Sequence, residues 1–158
     1  MLKAVFPGTF DPISNGHLNI CKRVAKIFEE LVILVETNCG KNPLFSLEER
    51  LSLAAGATAD IPNIVCRTFD GLTTDFMKSN GIDVIVRGIR NSADLEYEMQ
   101  IASFNQQLMS SCETIFLAPD EHFRYLSSSA VRELVKYHAD ISSLVPENVR
   151  IAIAQKFA

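Results

Sequence analysis

Short apolar runs alternate along this chain with longer segments in which apolar positions recur every three or four residues. The runs Leu2–Phe6, Leu31–Glu36, Asn63–Thr68, Ile82–Val86 and Thr114–Ala118 read as five strands. Several are continuously apolar, the pattern of strands covered on both faces by helices. The helices between them have recognisable starts. Ser46-Leu47-Glu48-Glu49 is a capping box that opens a helix toward Thr58. Ser92 to about Met109 predicts a long helix, with Leu95, Met99 and Ala102 on one stripe that reads as core. Pro146 suits the first turn of a terminal helix running to Phe157. This alternation predicts an α/β fold: a single Rossmann-like, doubly wound, parallel five-stranded sheet with helices on both faces, one domain over residues 1–158.

The polar residues that break this pattern fall at one kind of place. Thr9 and His17 follow the first strand, Lys41 the second, Arg87 and Arg90 the fourth, and Ser127, Ser128 and Ser129 the fifth. In an open parallel sheet the ligand crevice lies beyond the carboxyl ends of the strands, where strand order reverses. With the order 3-2-1-4-5, Thr9 and His17 would face Arg87 across that reversal.

Pro7-Gly8-Thr9-Phe10-Asp11-Pro12, followed by Asn15-Gly16-His17-Leu18, is the strongest motif. Gly8 lets backbone approach a ligand, and Gly16-His17 opens a helix whose first N–H groups attract phosphate. His17 is placed to donate a hydrogen bond to that phosphate. The plainer alternative is a tight turn with a histidine at the helix cap. Arg87 and Arg90 around Gly88 form a forked-donor cluster suited to phosphate; the competing reading is salt bridging to Asp94, Glu96 or Glu98 on the next helix. Lys41 in Gly40-Lys41-Asn42-Pro43 would serve as a movable point charge. The three serines offer amides and hydroxyls at a helix start, a second anion nest.

Composition narrows the classes. Apolar residues make up 47% and charged residues 22%, an ordinary globular balance, and no apolar run approaches the ~18 residues that span a bilayer. The N-terminus shows no signal core, so a soluble cytoplasmic protein without membrane partners is expected. The four scattered cysteines suit reduced thiols, and neither they nor the three histidines have metal-site spacing. A net charge of −4 argues against nucleic acid as a partner. It does not oppose small anionic substrates, because one close charge pair in a cleft is worth about 4 kcal/mol at an effective dielectric of 20. No strand end offers a Ser/His/Asp or Cys/His nucleophile set, which favours direct attack by an already ionised acceptor.

These residues resemble the bacterial phosphopantetheine adenylyltransferases over essentially the whole chain. The matching strings are Pro7–Leu18, Lys41 to Phe45, Leu47–Arg50, Val86–Arg90, Tyr97-Glu98-Met99-Gln100, Ser127–Ser129 and Pro146–Val149. The first string marks the wider nucleotidyltransferase superfamily; the arginine pair with Tyr97-Glu98-Met99 and the triple serine are more specific. The resemblance implies transfer of the adenylyl group of ATP to 4′-phosphopantetheine, giving dephospho-CoA and pyrophosphate, with Mg2+, a hexameric homo-oligomer and feedback inhibition by CoA. It implies that Thr9 and His17 contact the reacting phosphates while Lys41, Thr73 and Arg87 hold phosphopantetheine. Phe10, Gly88, Ile89, Arg90 and Glu98 would line the ATP site, and Phe123, Arg124, Tyr125, Leu126, Ser127, Ser128 and Ser129 would close over adenine and phosphates. The sequence departs from the family at Thr73, at Ala139 and in His122-Phe123-Arg124. Rival readings are a relative using another acceptor such as nicotinamide mononucleotide, a nucleotide sensor without turnover, and an isolated tRNA-synthetase core. The retained His17 and Lys41 speak against the sensor, and the short chain against the synthetase.

Overall fold

A computed structural model of the protein describes residues 2–37 and 42–157. Five strands, β1 (Lys3–Gly8), β2 (Glu30–Glu36), β3 (Ile64–Phe69), β4 (Val84–Gly88) and β5 (Glu113–Leu117), form one sheet. Every pairing is parallel and the order is β3-β2-β1-β4-β5. The helices among the described residues are α1 (Asn15–Val24), α2 (Leu47–Ala57), α3 (Thr73–Asn80), α4 (Ser92–Leu108), α5 (Ser128–Lys136) and α6 (Glu147–Lys156), with a 3-10 turn at Glu121–Phe123.

Alternation along the central strands divides the core in two. Ala4, Phe6, Leu31, Ile33, Val35, Val84 and Val86 face one way, onto Ile20 and Val24 of α1, Leu53 and Ala54 of α2, Val131 and Val135 of α5 and Val149 and Ile153 of α6. Val5, Val32, Leu34 and Ile85 face the other way, onto Phe76 and Met77 of α3 and Ile82. Burial on both faces accounts for the unbroken apolar runs. The Rossmann-like expectation is met.

Three features depart from the sequence reading. β1 and β4 each run two residues further than the apolar pattern indicates, to Gly8 and Gly88, because backbone pairing with β2 and β5 carries them on. α3 has too short a periodic stretch to be legible; it stops at Gly81, whose φ of 63° lies in the left-handed region that glycine enters at least cost. The stripe Leu95/Met99/Ala102 is not core. Met99 is exposed, and Glu98 is the one buried residue of α4, because its carboxylate is drawn inward by Arg87.

The sheet itself opens the crevice. β1 pairs with β2 as far as Gly8↔Val35, but with β4 only as far as Val5↔Ile85. Beyond that point Phe6-Pro7-Gly8 and Val86-Arg87-Gly88 diverge. The gap lies at the reversal of strand order, where connections leave to opposite faces.

Candidate active site

A cleft of about 330 Å³ occupies this gap. From β1 and its loop come Pro7, Gly8 and Thr9; from α1, Gly16 and His17; from β4 and beyond, Arg87, Gly88 and Arg90. Glu98 of α4 and the segment Leu126–Ser129 complete the wall on the far side. His17 and Arg87, distant in sequence, share one cavity.

His17 is held by the residue that caps its own helix. The Ser14 backbone N–H donates to His17 Nδ1 at 3.1 Å, and Ser14 Oγ accepts from the His17 backbone N–H at 3.5 Å. This is a capping box with histidine in the place usually taken by glutamate. A backbone N–H can only donate, so Nδ1 is the accepting nitrogen and the ring proton is on Nε2. Burial, with Arg90 and Arg87 nearby, lowers the His17 pKa to about 4. The neutral ring therefore offers an Nε2–H donor at ordinary pH. Phe10 stands behind it. At φ 47° Phe10 occupies the left-handed region, and its ring is almost fully buried, edge-on to His17 and Phe6 with centroids 5.1 and 5.5 Å away. It borders the cleft as a packed wall behind the histidine.

The salt-bridge reading of the arginines is what the geometry displays, with both side chains also lining the cleft. Arg87 Nε and Nη2 donate to the two oxygens of Glu98, each at 2.7 Å, and Nη1 donates to the Pro7 carbonyl at 2.7 Å. Arg90 Nε donates to Asp94 at 3.0 Å. The guanidinium groups face the cleft, but an arriving phosphate meets Arg87 already engaged by a carboxylate. Glu36, at the end of β2, also lines the cleft, and burial raises its carboxyl above the usual range.

The three serines are each committed differently. Ser127 Oγ accepts from the Ala130 N–H at 3.0 Å, Ser128 Oγ donates to the Pro12 carbonyl at 2.8 Å, and Ser129 Oγ accepts from Arg132 Nη2 at 3.1 Å. The Ser128 hydroxyl proton is thus spent on the Pro12 carbonyl. What the start of α5 offers an anion is the N–H groups of Ser128 and Ser129 and the hydroxyl protons of Ser127 and Ser129.

A second cavity, of about 600 Å³, adjoins the first, and the two share Pro7, Glu36 and Arg87. Thr73, the first residue of α3, lines it, with Leu34, Phe69 and Leu72 on one side and Tyr97, Ile101 and Asn105 of α4 on the other. Of the residues expected in the site, Ile89 is outside the cleft lining, and its backbone N–H is bonded to the Leu117 carbonyl at 2.9 Å. Phe123, Arg124 and Tyr125 also stand outside the cleft lining. Phe123 stacks on His122 at 4.0 Å between centroids, Arg124 faces Glu121, and Tyr125 is exposed. Lys41 lies outside the described residues.

Sequence reasoning passed over several residues that shape the site. The buried Asp11 carboxylate accepts from the N–H groups of Leu44 and Phe45 at 2.8 and 2.9 Å, tying the loop before α2 to the loop after β1. Arg132 of α5 lines the cleft and donates to the Asp11 carbonyl at 2.6 Å. Buried Arg50 donates to the carbonyls of Thr9 and Glu36. Ser14, three residues before His17, carried a usable signal in its capping spacing. Arg50 ended one of the matching strings but had no role assigned to it; Glu36 and Arg132 carried no signal, being single charges beside ordinary element ends.

A family profile described as cytidylyltransferase-like matches residues 5–134. A phosphopantetheine adenylyltransferase of Dictyoglomus turgidum is 46% identical over 157 residues, covering 99% of this chain and 98% of that protein. Its counterpart in Dictyoglomus thermophilum is 45% identical over 157 residues, covering 99% and 96%. On these matches over nearly its whole length, the chain belongs to the cytidylyltransferase-like family, on its phosphopantetheine adenylyltransferase branch.

Proposed function

We propose that the protein catalyses the reversible transfer of the adenylyl group of ATP to 4′-phosphopantetheine, forming dephospho-CoA and pyrophosphate. The observation that carries this reading is the pair of cavities that meet at Arg87. One is lined by two helix starts, arginines and a neutral histidine donor, and suits a nucleotide triphosphate. The other, longer and partly apolar between α3 and α4, suits a pantetheine arm whose phosphate reaches back to Arg87. The relatives carry the same activity in their names.

The acceptor phosphate is ionised near neutral pH, so attack on the α-phosphorus needs no general base. Phosphoryl-type transfer depends on alignment and charge stabilisation. Thr9 and His17, with Lys41, are assigned to the reacting phosphate, Arg87 and Thr73 to the acceptor, and Arg90 with Ser127, Ser128 and Ser129 to the departing pyrophosphate. Gly88 and Glu98 would border the nucleotide. Ile89, the half-buried Phe123 and the exposed Arg124 and Tyr125 would reach it only by a shift of their segments. Mg2+ would enter with ATP, held mainly by phosphate oxygens as this ion commonly is. The donor set fits that mode: of the two cleft carboxylates, Glu98 is occupied by Arg87. The ion supplies neutralisation of phosphate charge.

We also assign the protein to a cytoplasmic setting, to regulation by CoA as a product-like inhibitor, and to a homo-oligomer of six chains. Among the described residues no helix is long and apolar enough to cross a membrane. Phe104 and Leu108 of α4, four residues apart on the same side of the helix, are each at least half exposed, an apolar pair that self-association would cover. The decisive test incubates the protein with ATP, Mg2+ and a panel of phosphorylated acceptors, with products identified by mass. Dephospho-CoA formed in preference to products from nicotinamide mononucleotide or polyol phosphates is the expected result. Preference for another acceptor ends the phosphopantetheine assignment.

A further inference from the structure

The side chain of Arg50 is the largest among those fully buried, with 1% of the residue exposed. A guanidinium stays charged at any pH a protein meets. Yet among the described residues Arg50 forms no ion pair with a carboxylate, and its Nε is buried without a hydrogen-bond partner. Glu36 is near enough to feel this charge but makes no direct pair with it, and holding a cation in a protein interior on so partial a counter-charge costs several kcal/mol. What it does make is a bridge: Nη1 donates to the Thr9 carbonyl at 2.6 Å and to the Glu36 carbonyl at 2.9 Å.

Those carbonyls belong to residues that leave β1 and β2 at the edge where the cleft opens, and both residues line it. Nothing in the ladder holds Thr9, since the β1–β2 pairing ends at Gly8↔Val35. We propose that Arg50 is a positioning residue for nucleotidyl transfer, fixing the Thr9 backbone against the end of β2 so that Thr9 meets the reacting phosphate. This rests on the adenylyl-transfer reading of the cleft. Arg50 reaches the loop from the first turn of α2, whose own start is fixed by the Ser46/Glu49 capping box. α2 is therefore a rigid arm under the loop, and the side chain is its contact point.

The test compares Arg50→Met, which removes charge and donors, with Arg50→Lys, which keeps the charge but shortens the reach. Turnover is measured with ATP and phosphopantetheine, or with whichever acceptor of the panel the wild type uses. Pyrophosphate titrated calorimetrically counts competent sites per chain. A mis-set loop lowers kcat per site, by ~10² for Met as for other ångström-scale misplacements. The Lys variant recovers part of that loss, and KM for both substrates moves less than threefold. A purely structural role would instead lower the number of sites and leave kcat per site unchanged. Wild-type kcat per site in either folded variant overturns the inference, and so does loss of folding in both, which would assign Arg50 to the core alone. Failure of the wild type to form any nucleotidyl product overturns the functional reading instead, so the two failures are distinct.

Discussion

At the scale of single residues, the site is governed by which proton sits where. Ser14 fixes the His17 tautomer with a donor that cannot reverse, and the surroundings keep the ring neutral down to a pKa of about 4. A donor preorganised in this way stabilises developing phosphate charge without reorganising. His17→Ala should lower kcat by ~10²–10³ with a smaller change in KM, measured by dephospho-CoA formation. In the wild type, the His17 ring resonances should show no titration between about pH 5 and 8; a titration near the ordinary histidine pKa would contradict the assignment of a neutral donor. The serines illustrate the same point. Ser128 spends its hydroxyl proton on the Pro12 carbonyl, so Ser128→Ala should lose about 1 kcal/mol of stability in urea unfolding while pyrophosphate affinity stays within about twofold, its backbone amide being untouched.

At the scale of elements, the crevice exists because β1 and β4 part company after two paired residues while β1 stays bonded to β2. Gly88, at the end of β4, lies so near α1 that an added Cβ would come within 2.6 Å of Ile20 Cδ1. Ile20 is buried and has little room to yield. Gly88→Ala should therefore destabilise by about 1–2 kcal/mol, the usual cost of overpacking. Ile20→Val, which removes the clashing methyl, should restore part of that loss in the double variant, a coupling read directly from a thermodynamic cycle. Strict additivity would mean the two elements do not meet as described. α4 makes a different case. Its inward face is chosen by an ion pair, Glu98 with Arg87, and this leaves Phe104, Met99 and Leu108 outward. Phe104→Glu should shift the sedimenting species toward smaller assemblies.

At the scale of the whole molecule, His17 couples folding to pH. Its folded pKa of about 4 lies below the unfolded value near 6.5, so between those values the unfolded chain binds a proton that the fold refuses. The associated stability is complete above about pH 6.5 and is lost as pH falls toward 4. Glu36 acts in the opposite sense, since burial raises its carboxyl and favours the fold while protonated. The His17 share is isolated by comparing wild type with His17→Gln. Their difference in unfolding free energy should change by at most about 3 kcal/mol between pH 7 and pH 4, the wild type losing the more. A parallel five-stranded sheet, and Thr9, His17, Arg87, Arg90 and Ser127–Ser129 as polar residues beyond its strand ends, were legible in the amino-acid string; the strand order entered only as a supposition, which the sheet meets. Continuous apolar runs announce a covered parallel sheet, and polar residues in a row just beyond such runs announce a crevice. Local chemistry of that kind is written in neighbouring positions. The string left open whether Glu98 holds Arg87, and it could not disclose that the Ser128 hydroxyl is spent, that α4 leaves Met99, Phe104 and Leu108 exposed, or that Arg50 lies under Thr9. Each of these depends on a partner between 11 and 116 positions away along the chain. A hydrogen bond over such a span is decided by packing, because only the assembled fold brings its two ends within 3 Å.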